Sequence, residues 1–286
     1  MGDSRPIGIF DSGVGGLTVA RAIADLMPGE HILYYGDSAR GPYGDLPLGV
    51  VRNFALEITE YLVLSGVKLV VIACNTASSA ALQAARERFR GIPVIGVVEP
   101  GIHAALQATS NGRIGLIGTR GTIASGAYER ALQATRKRAK LYSAACPGLV
   151  ELVEAGKTDG GEVESLAGSY IEPLLERSID TLLLGCTHYP LLAKVLKRIV
   201  GESVTLVDSA DSTAFAVYQL LASTGMLRGE EEDGWRRFVC SGEVDRFESL
   251  GARFFGPEVS GVEHVDLAAA VPRKTADRQI IAGGRT

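Results

Sequence analysis

Cysteine is scarce in this sequence, and long apolar runs and an excess of positive charge are missing altogether. The four cysteines lie far apart in 286 residues, and no pair is spaced as C-x-x-C, which excludes a disulfide scaffold and the usual zinc and redox motifs. The most apolar stretches, such as residues 69–74, are much shorter than the roughly 18 residues of a membrane-spanning helix. The sequence therefore predicts free thiols and no membrane partner.

Charge and composition narrow the class of protein further. A formal net charge of -4 offers no positive field to nucleic acid, so we expect no nucleic-acid partner. Residues 1–6 lack the basic and apolar segments of a secretory signal, so we expect a cytoplasmic protein. Hydrophobic residues make up 46% of the chain, and 286 residues suffice for two ordinary domains.

Short apolar segments alternate with longer amphipathic segments along most of the chain. This alternation predicts an α/β fold of parallel strands and crossover helices. The predicted strands are residues 6–10, 31–36, 69–73, 94–98, 113–118, 140–144, 181–184 and 205–208. The predicted helices are residues 17–27, 48–65, 78–89, 124–135, 162–177 and 191–199.

Two segments of the chain repeat one plan. In residues 69–76 and again in residues 181–188, an apolar strand ends in a small residue, followed by a cysteine and small polar residues that open a helix. We infer two pseudo-symmetric parallel-sheet domains, flavodoxin-like or Rossmann-like. The predicted domains are residues 1–97 plus 208–267 and residues 98–207, and residues 268–286, which lack periodicity, are predicted to be a disordered tail.

The loop after the first predicted strand, residues 11–16 (DSGVGG), carries polar and glycine residues. Ligands of open α/β sheets collect at such strand ends, and here Asp11 and Ser12 offer an acceptor and a hydroxyl. The loop is a poor dinucleotide fingerprint, because Thr18 stands where G-x-G-x-x-G needs a small residue. Asp11 and Ser12 could equally cap the next helix, and this motif alone leaves both interpretations open.

Cys74 and Cys186 differ from the other two cysteines in their surroundings. Each follows a predicted strand at the entry to a helix, and a helix N-terminus lowers the pKa of a thiol, which favours the reactive thiolate. An isolated buried cysteine is usually inert, but two in equivalent positions favour a function. His188 could exchange a proton with Cys186.

Two thiols without a cofactor motif suit the inversion of a carbon centre. One thiolate can remove a proton from one face of a bound molecule while the other thiol returns a proton to the opposite face. When the two cysteines have exchanged their protonation states, the same groups catalyse the reverse reaction. The carbanion-like intermediate needs loop N–H groups and polar side chains for its stabilisation.

Five stretches, taken together and in order, are similar to a known family. They are residues 11–18 (DSGVGGLT), 36–44 (GDSARGPYG), 73–78 (ACNTAS), 146–147 (CP) with 153–156 (VEAG), and 185–190 (GCTHYP). Through them, residues 7 to about 267 closely resemble the glutamate racemases of the aspartate/glutamate racemase family. The resemblance implies two α/β domains with the active site in the cleft between them, a homodimer, no metal and no other cofactor.

The resemblance also implies roles for particular residues. Cys74 and Cys186 would be the two catalytic acid–base residues, with Asp11 assisting Cys74, and with His188 and Glu154 assisting the Cys186 side. The residues that would line the D/L-glutamate site are Asp11, Ser12, Pro42, Tyr43, Gly44, Asn75, Thr76, Thr187 and His188. The implied product, D-glutamate, is used in bacterial peptidoglycan synthesis, and hence in cell-wall biogenesis and cell shape.

Two other functions remain open at the level of sequence. A racemase of the same superfamily could act on aspartate or a related small acid with the same pair of thiols. A two-domain module could instead bind an amino acid without converting it.

Overall fold

Ten strands in two all-parallel sheets form the framework of residues 2–229 and 232–267, the part of the chain that the computed structural model describes. The predicted α/β fold of two parallel-sheet units is thus confirmed. The predicted tail, residues 268–286, lies outside the described residues. Among the helices of the described part, none combines the length and apolarity that crossing a membrane requires.

Strands and helices alternate along the chain. The strands are β1 Ile7–Asp11, β2 Ile32–Gly36, β3 Leu69–Ile72, β4 Val94–Gly96, β5 Arg113–Gly118, β6 Lys140–Ala145, β7 Thr181–Gly185, β8 Thr205–Val207, β9 Arg236–Cys240 and β10 Glu263–His264. The helices are α1 Leu17–Leu26, α2 Leu48–Leu64, α3 Asn75–Arg88, α4 Val98–Ala108, α5 Arg120–Ala124, α6 Ala127–Ala134, α7 Leu149–Glu154, α8 Gly161–Leu175, α9 Ala193–Val200, α10 Ala210–Thr224 and α11 Val244–Gly251.

The two sheets share one connectivity. The first has the order β10-β9-β2-β1-β3-β4 and the second the order β6-β5-β7-β8. The series β2-β1-β3-β4 therefore matches β6-β5-β7-β8, which makes β1 equivalent to β5 and β3 equivalent to β7. The two cysteine-bearing segments that repeat one plan contain β3 and β7, so the repeat in the sequence reflects this pseudo-symmetry.

A single apolar core connects the two sheets. Its buried side chains include Ile7 and Ile9 of β1 together with Leu182 and Leu184 of β7. Separate apolar clusters cover the other faces: α2 and α3 pack over the first sheet, and α4 and α6 pack over the second. Each fully buried side chain of this size stabilises the fold by about 1.5–3 kcal/mol, so the shared core holds both sheets together.

The bounds of the eight predicted strands agree with the structure to within two residues, but α4, α5 and α11 are among the helices that were not predicted. Val98 begins α4 instead of ending a strand, and Pro100 in the first turn of this helix is compatible with it, since that position needs no N–H donor. The helix α11 was also missed. The predicted domain division stays a prediction: strands of the first sheet come from residues 7–96 and 236–264, and those of the second from residues 113–207.

Candidate active site

Polar residues stand at equivalent carboxyl ends of the two sheets. Asp11 ends β1 and Cys74 closely follows β3, while Thr119 and Cys186 follow β5 and β7. In parallel α/β sheets these ends are where ligands bind. The contacts described below join the two sets of loops into one site.

Cys74 caps the N-terminus of α3. Its buried sulfur accepts a hydrogen bond from the Ala77 N–H at 3.4 Å, and its thiol donates to Ser12 Oγ at 3.7 Å. Burial, together with the negative charge of Asp11, raises the pKa of this thiol to about 12. The expectation that the helix N-terminus lowers it is therefore wrong for Cys74, because loss of hydration outweighs the bonds from the cap.

Cys186 is buried in a different local structure. Its sulfur lies 3.9 Å from His188 Nδ1, and the chain continues into a 3-10 helix, Tyr189–Leu192, before α9. Cys186 therefore does not cap a helix as Cys74 does. The two thiols are nevertheless close enough that charge on Cys186 contributes to raising the pKa of Cys74.

His188 connects Cys186 to a carboxylate. Its Nε2 lies 3.2 Å from Glu154 Oε1 at the end of α7. Burial opposes protonation of His188, but hydrogen bonds to Cys186 and Glu154 outweigh it and raise the pKa of the imidazole to about 10. The hydrogen bond from His188 in turn lowers the pKa of Glu154. The contacts with Cys186 and Glu154 therefore favour the protonated form of His188.

Asp11 joins the loops of the two sheets. It is fully buried, and its carboxylate accepts the Gly13 N–H at 2.9 Å and the Thr187 hydroxyl at 3.3 Å. Burial raises the pKa of Asp11, and the charge of His188 opposes that rise. A Cβ added to Gly15 would lie 2.6 Å from His188 Nδ1, so only glycine permits this close approach of the two loops.

Asn75 and Thr76, in the first turn of α3, also contact residues that follow strand β5 of the second sheet. Asn75 Nδ2 donates to the Tyr128 hydroxyl at 2.7 Å, and Thr76 Oγ1 lies 2.9 Å from Thr119 Oγ1 and 3.1 Å from Thr122 Oγ1. Within the described part of the chain, the buried Asn75 Oδ1 has no hydrogen-bond partner. The site therefore offers a buried acceptor to a ligand.

The loop after β2 forms the remaining wall. The Gly44 carbonyl accepts the Gly121 N–H at 2.8 Å, which ties this loop to α5. The Tyr43 hydroxyl donates to the buried Asp37 carboxylate, so the ring is held under the loop. Pro42 lines a cavity together with Ser12 and Glu154.

Hydrogen bonds thus connect Asp11, Ser12, Asn75, Thr76, Thr187 and His188 of the predicted set to the loops and helices that follow the strands, and three further residues take part in these contacts. Thr119, Thr122 and Tyr128 were not predicted from the sequence. Thr119 follows β5 as Ser12 follows β1, so extending the sequence echo to these strands would have found it. Tyr128 lies on α6, and nothing in the sequence pattern marks it. Within the described residues, no three His, Cys, Asp or Glu side chains converge in a way that could hold a metal ion.

Comparison with known sequences identifies related proteins. The family model described as Asp/Glu/Hydantoin racemase matches residues 17–217. A curated glutamate racemase from Beutenbergia cavernae is 51% identical over 283 residues, covering 95% of this chain and 97% of that protein.

Comparison with solved structures gives the same result. A glutamate racemase isoform from Bacillus anthracis superposes with a TM-score of 0.88 at 43% identity, over 92% of this chain and 98% of that chain. The glutamate racemase of Francisella tularensis, solved in complex with D-glutamate, superposes with a TM-score of 0.87 at 34% identity, over 93% and 99% of the two chains.

Proposed function

The chain belongs to the Asp/Glu/hydantoin racemase family, and from this premise we propose that it interconverts L- and D-glutamate by proton transfer at the α-carbon. The observation that supports the proposal is the position of Cys74 and Cys186 after equivalent strands, near enough for the charge of Cys186 to affect the pKa of Cys74, with Asp11 near Cys74 and His188 beside Cys186. Two relatives that are each 51% identical to this chain are named glutamate racemases, and these names support the choice of substrate.

The charges around the thiols suggest which one starts as the base. We assign the first proton abstraction to Cys186, because His188, whose pKa is raised, lies 3.9 Å from its sulfur. Burial keeps Cys74 as a thiol, since it raises the pKa of that group to about 12. The Cys186 thiolate takes the α-proton from one face, and the Cys74 thiol gives its proton to the other. The product leaves with the protonation states exchanged, and the opposite enantiomer uses that form.

Asp11 has the charge and position to bind the substrate ammonium group. An ammonium group beside Asp11 offsets the negative charge that raises the pKa of Cys74, so substrate binding favours ionisation of that thiol. The proposed binding residues for the carboxylates and the amino group are Asp11, Ser12, Pro42, Tyr43, Gly44, Asn75, Thr76, Thr187 and His188. No cofactor takes part in this proposal.

Membership of this family supports the proposals on the protein's location, its assembly and its biological role. We infer a cytoplasmic homodimer that supplies D-glutamate for peptidoglycan synthesis, and hence for cell-wall biogenesis and cell shape. The net charge of -4 supports the absence of a nucleic-acid partner.

Incubation with L-glutamate and chiral chromatography test the activity directly. We expect an equal mixture of the two enantiomers, because they have the same free energy in solution. Parallel incubations with L-aspartate test the sister activity, and rapid conversion of aspartate alone would contradict the proposed substrate. Binding of glutamate without any change of configuration would indicate an amino-acid-binding module instead.

His188→Asn is expected to lower kcat/KM by about ten- to hundredfold, the effect of losing a charged hydrogen bond at the thiolate. Because the pKa of His188 is raised to about 10, its contribution is present below that pH and disappears as the pH rises through it. The pH profile of kcat at saturating glutamate measures this, since ionisation of free glutamate does not enter kcat: the wild type should lose activity near pH 10, and the variant should lack that step. The matched control is the exposed His103→Asn, which should keep the wild-type profile.

A further inference from the structure

A cavity of about 330 Å3 opens beside Ser12, which contacts Cys74, and beside Glu154, which contacts His188. Its walls are the loop after β1, the loop after β2, the end of α7 and the first turns of α11. This volume lies within the roughly 300–1,000 Å3 of small-molecule pockets, so a small amino acid fits inside it.

The cavity reaches both halves of the catalytic arrangement. Ser12 lines it, and Ser12 Oγ is 3.7 Å from the Cys74 sulfur. Glu154 also lines it and contacts His188 at 3.2 Å. A molecule in the cavity is therefore separated from Cys74 by Ser12, and from Cys186 by Glu154 and His188.

The residues that line this cavity all belong to the part of the chain that the structure describes. One of them is a cation. It is Arg246 of α11, accompanied by the acidic Glu154 and Glu243. Arg246 Nη2 lies 3.7 Å from Glu154 Oε2, and 66% of the Arg246 side chain is exposed. Ion pairs as exposed as this one contribute only about 0–1 kcal/mol, so another carboxylate can displace Glu154 from Arg246.

We propose that this cavity is the entrance through which the anionic amino acid reaches the thiols, and that Arg246 is its anchoring residue. The guanidinium group exchanges Glu154 for a carboxylate of the entering substrate, and the planar fork of donors suits that carboxylate. Glu154 then bonds to His188 alone. The inference rests on the proposed function and extends it to a residue outside the stretch that the family model matches, residues 17–217.

A purely structural role for Arg246 is less consistent with its surroundings. The end of α7 is already bound from the α11 side by Arg253, whose guanidinium donates to the carbonyls of Val153 at 3.4 Å and Gly156 at 3.5 Å. Arg246 is therefore not the sole contact that holds the end of α7 on this side. The exposed guanidinium of Arg246 is free to change partners.

Arg246→Gln tests the entrance. We expect the KM for both enantiomers of glutamate, and the Kd of D-glutamate measured by calorimetry, to rise about fivefold, with kcat within about twofold of the wild type. Arg246→Lys should recover part of the loss. Added salt should raise the KM of the wild type more than that of Arg246→Gln. The control is Arg237→Gln, another exposed arginine, which is paired with Glu263 away from the cavity and which should leave KM unchanged.

Three outcomes separate this inference from the proposed function. Unchanged KM and Kd in Arg246→Gln, in a wild type that racemises glutamate, would overturn the entrance and leave the function intact. A fall in kcat with a displaced pH profile at constant KM would also overturn it, because Arg246 would then act only through Glu154. A wild type that binds glutamate without racemising it, with weaker binding in the variant, would reject the function and retain the entrance.

Discussion

Replacing either Cys74 or Cys186 by alanine is expected to lower kcat/KM for glutamate by about 10³-fold or more, the size of effect expected from a missing acid or base. Each variant lacks the proton donor or acceptor on one face of the α-carbon, so neither can complete an inversion. Since the enantiomers have equal free energy, kcat/KM must fall equally in the two directions. Polarimetry from pure L-glutamate and from pure D-glutamate measures both.

Cys240→Ala is the matched control for these variants. Cys240 is as buried as the two thiols, but it lies in β9, and its thiol donates to the Gly242 carbonyl at 3.4 Å. Thermal unfolding of all three variants checks that the fold survives. Full racemisation by Cys74→Ala or Cys186→Ala would show that the acid–base residues are assigned wrongly.

Asp11→Asn is expected to lower kcat/KM by about 10²- to 10³-fold. The carboxylate is fully buried between the loops of the two sheets, and removing one charge of a buried pair costs about 3–5 kcal/mol. The neutral amide keeps the shape of the side chain but loses the charge that attracts the substrate ammonium group. Steady-state kinetics should show a higher KM together with a lower kcat.

Asp208→Asn provides the comparison for Asp11. Asp208 follows β8 and accepts the Ala210 N–H at 2.8 Å, much as Asp11 accepts the Gly13 N–H at 2.9 Å. Burial raises the pKa of both carboxyl groups, but Asp208 has no contact with the thiols. Equal losses of activity in the two variants would mean that the effect of Asp11→Asn is structural and not catalytic.

Much of the fold could be predicted because parallel strands are buried on both faces. Runs such as residues 69–72 and 182–184 are apolar throughout, and their pattern alone indicates buried strands. The start of α4 was missed because Pro100 and Gly101 resemble a break, although proline fits a first turn. Local sequence does not distinguish these two uses of proline.

The site was less predictable than the fold because burial and partners depend on packing between the sheets. The positions of Cys74 and Cys186 followed from the sequence echo, whereas the sign of the pKa shift of Cys74 did not. That sign is set by complete burial and by Asp11, which is 63 residues away in the chain. Tyr128 bonds to Asn75 across the same interface, and no local pattern predicts such a contact.

In the proposed mechanism, two thiols on opposite faces of the substrate exchange protons with one carbon. The most direct measurement is conversion of L-glutamate in D2O, followed by mass spectrometry of both enantiomers at early times. We expect every D-glutamate formed to carry deuterium at the α-carbon, because the donor thiol exchanges with solvent, while unreacted L-glutamate keeps its hydrogen. D-glutamate that retains the original hydrogen, or L-glutamate that exchanges as fast as it is converted, would contradict the two-thiol mechanism.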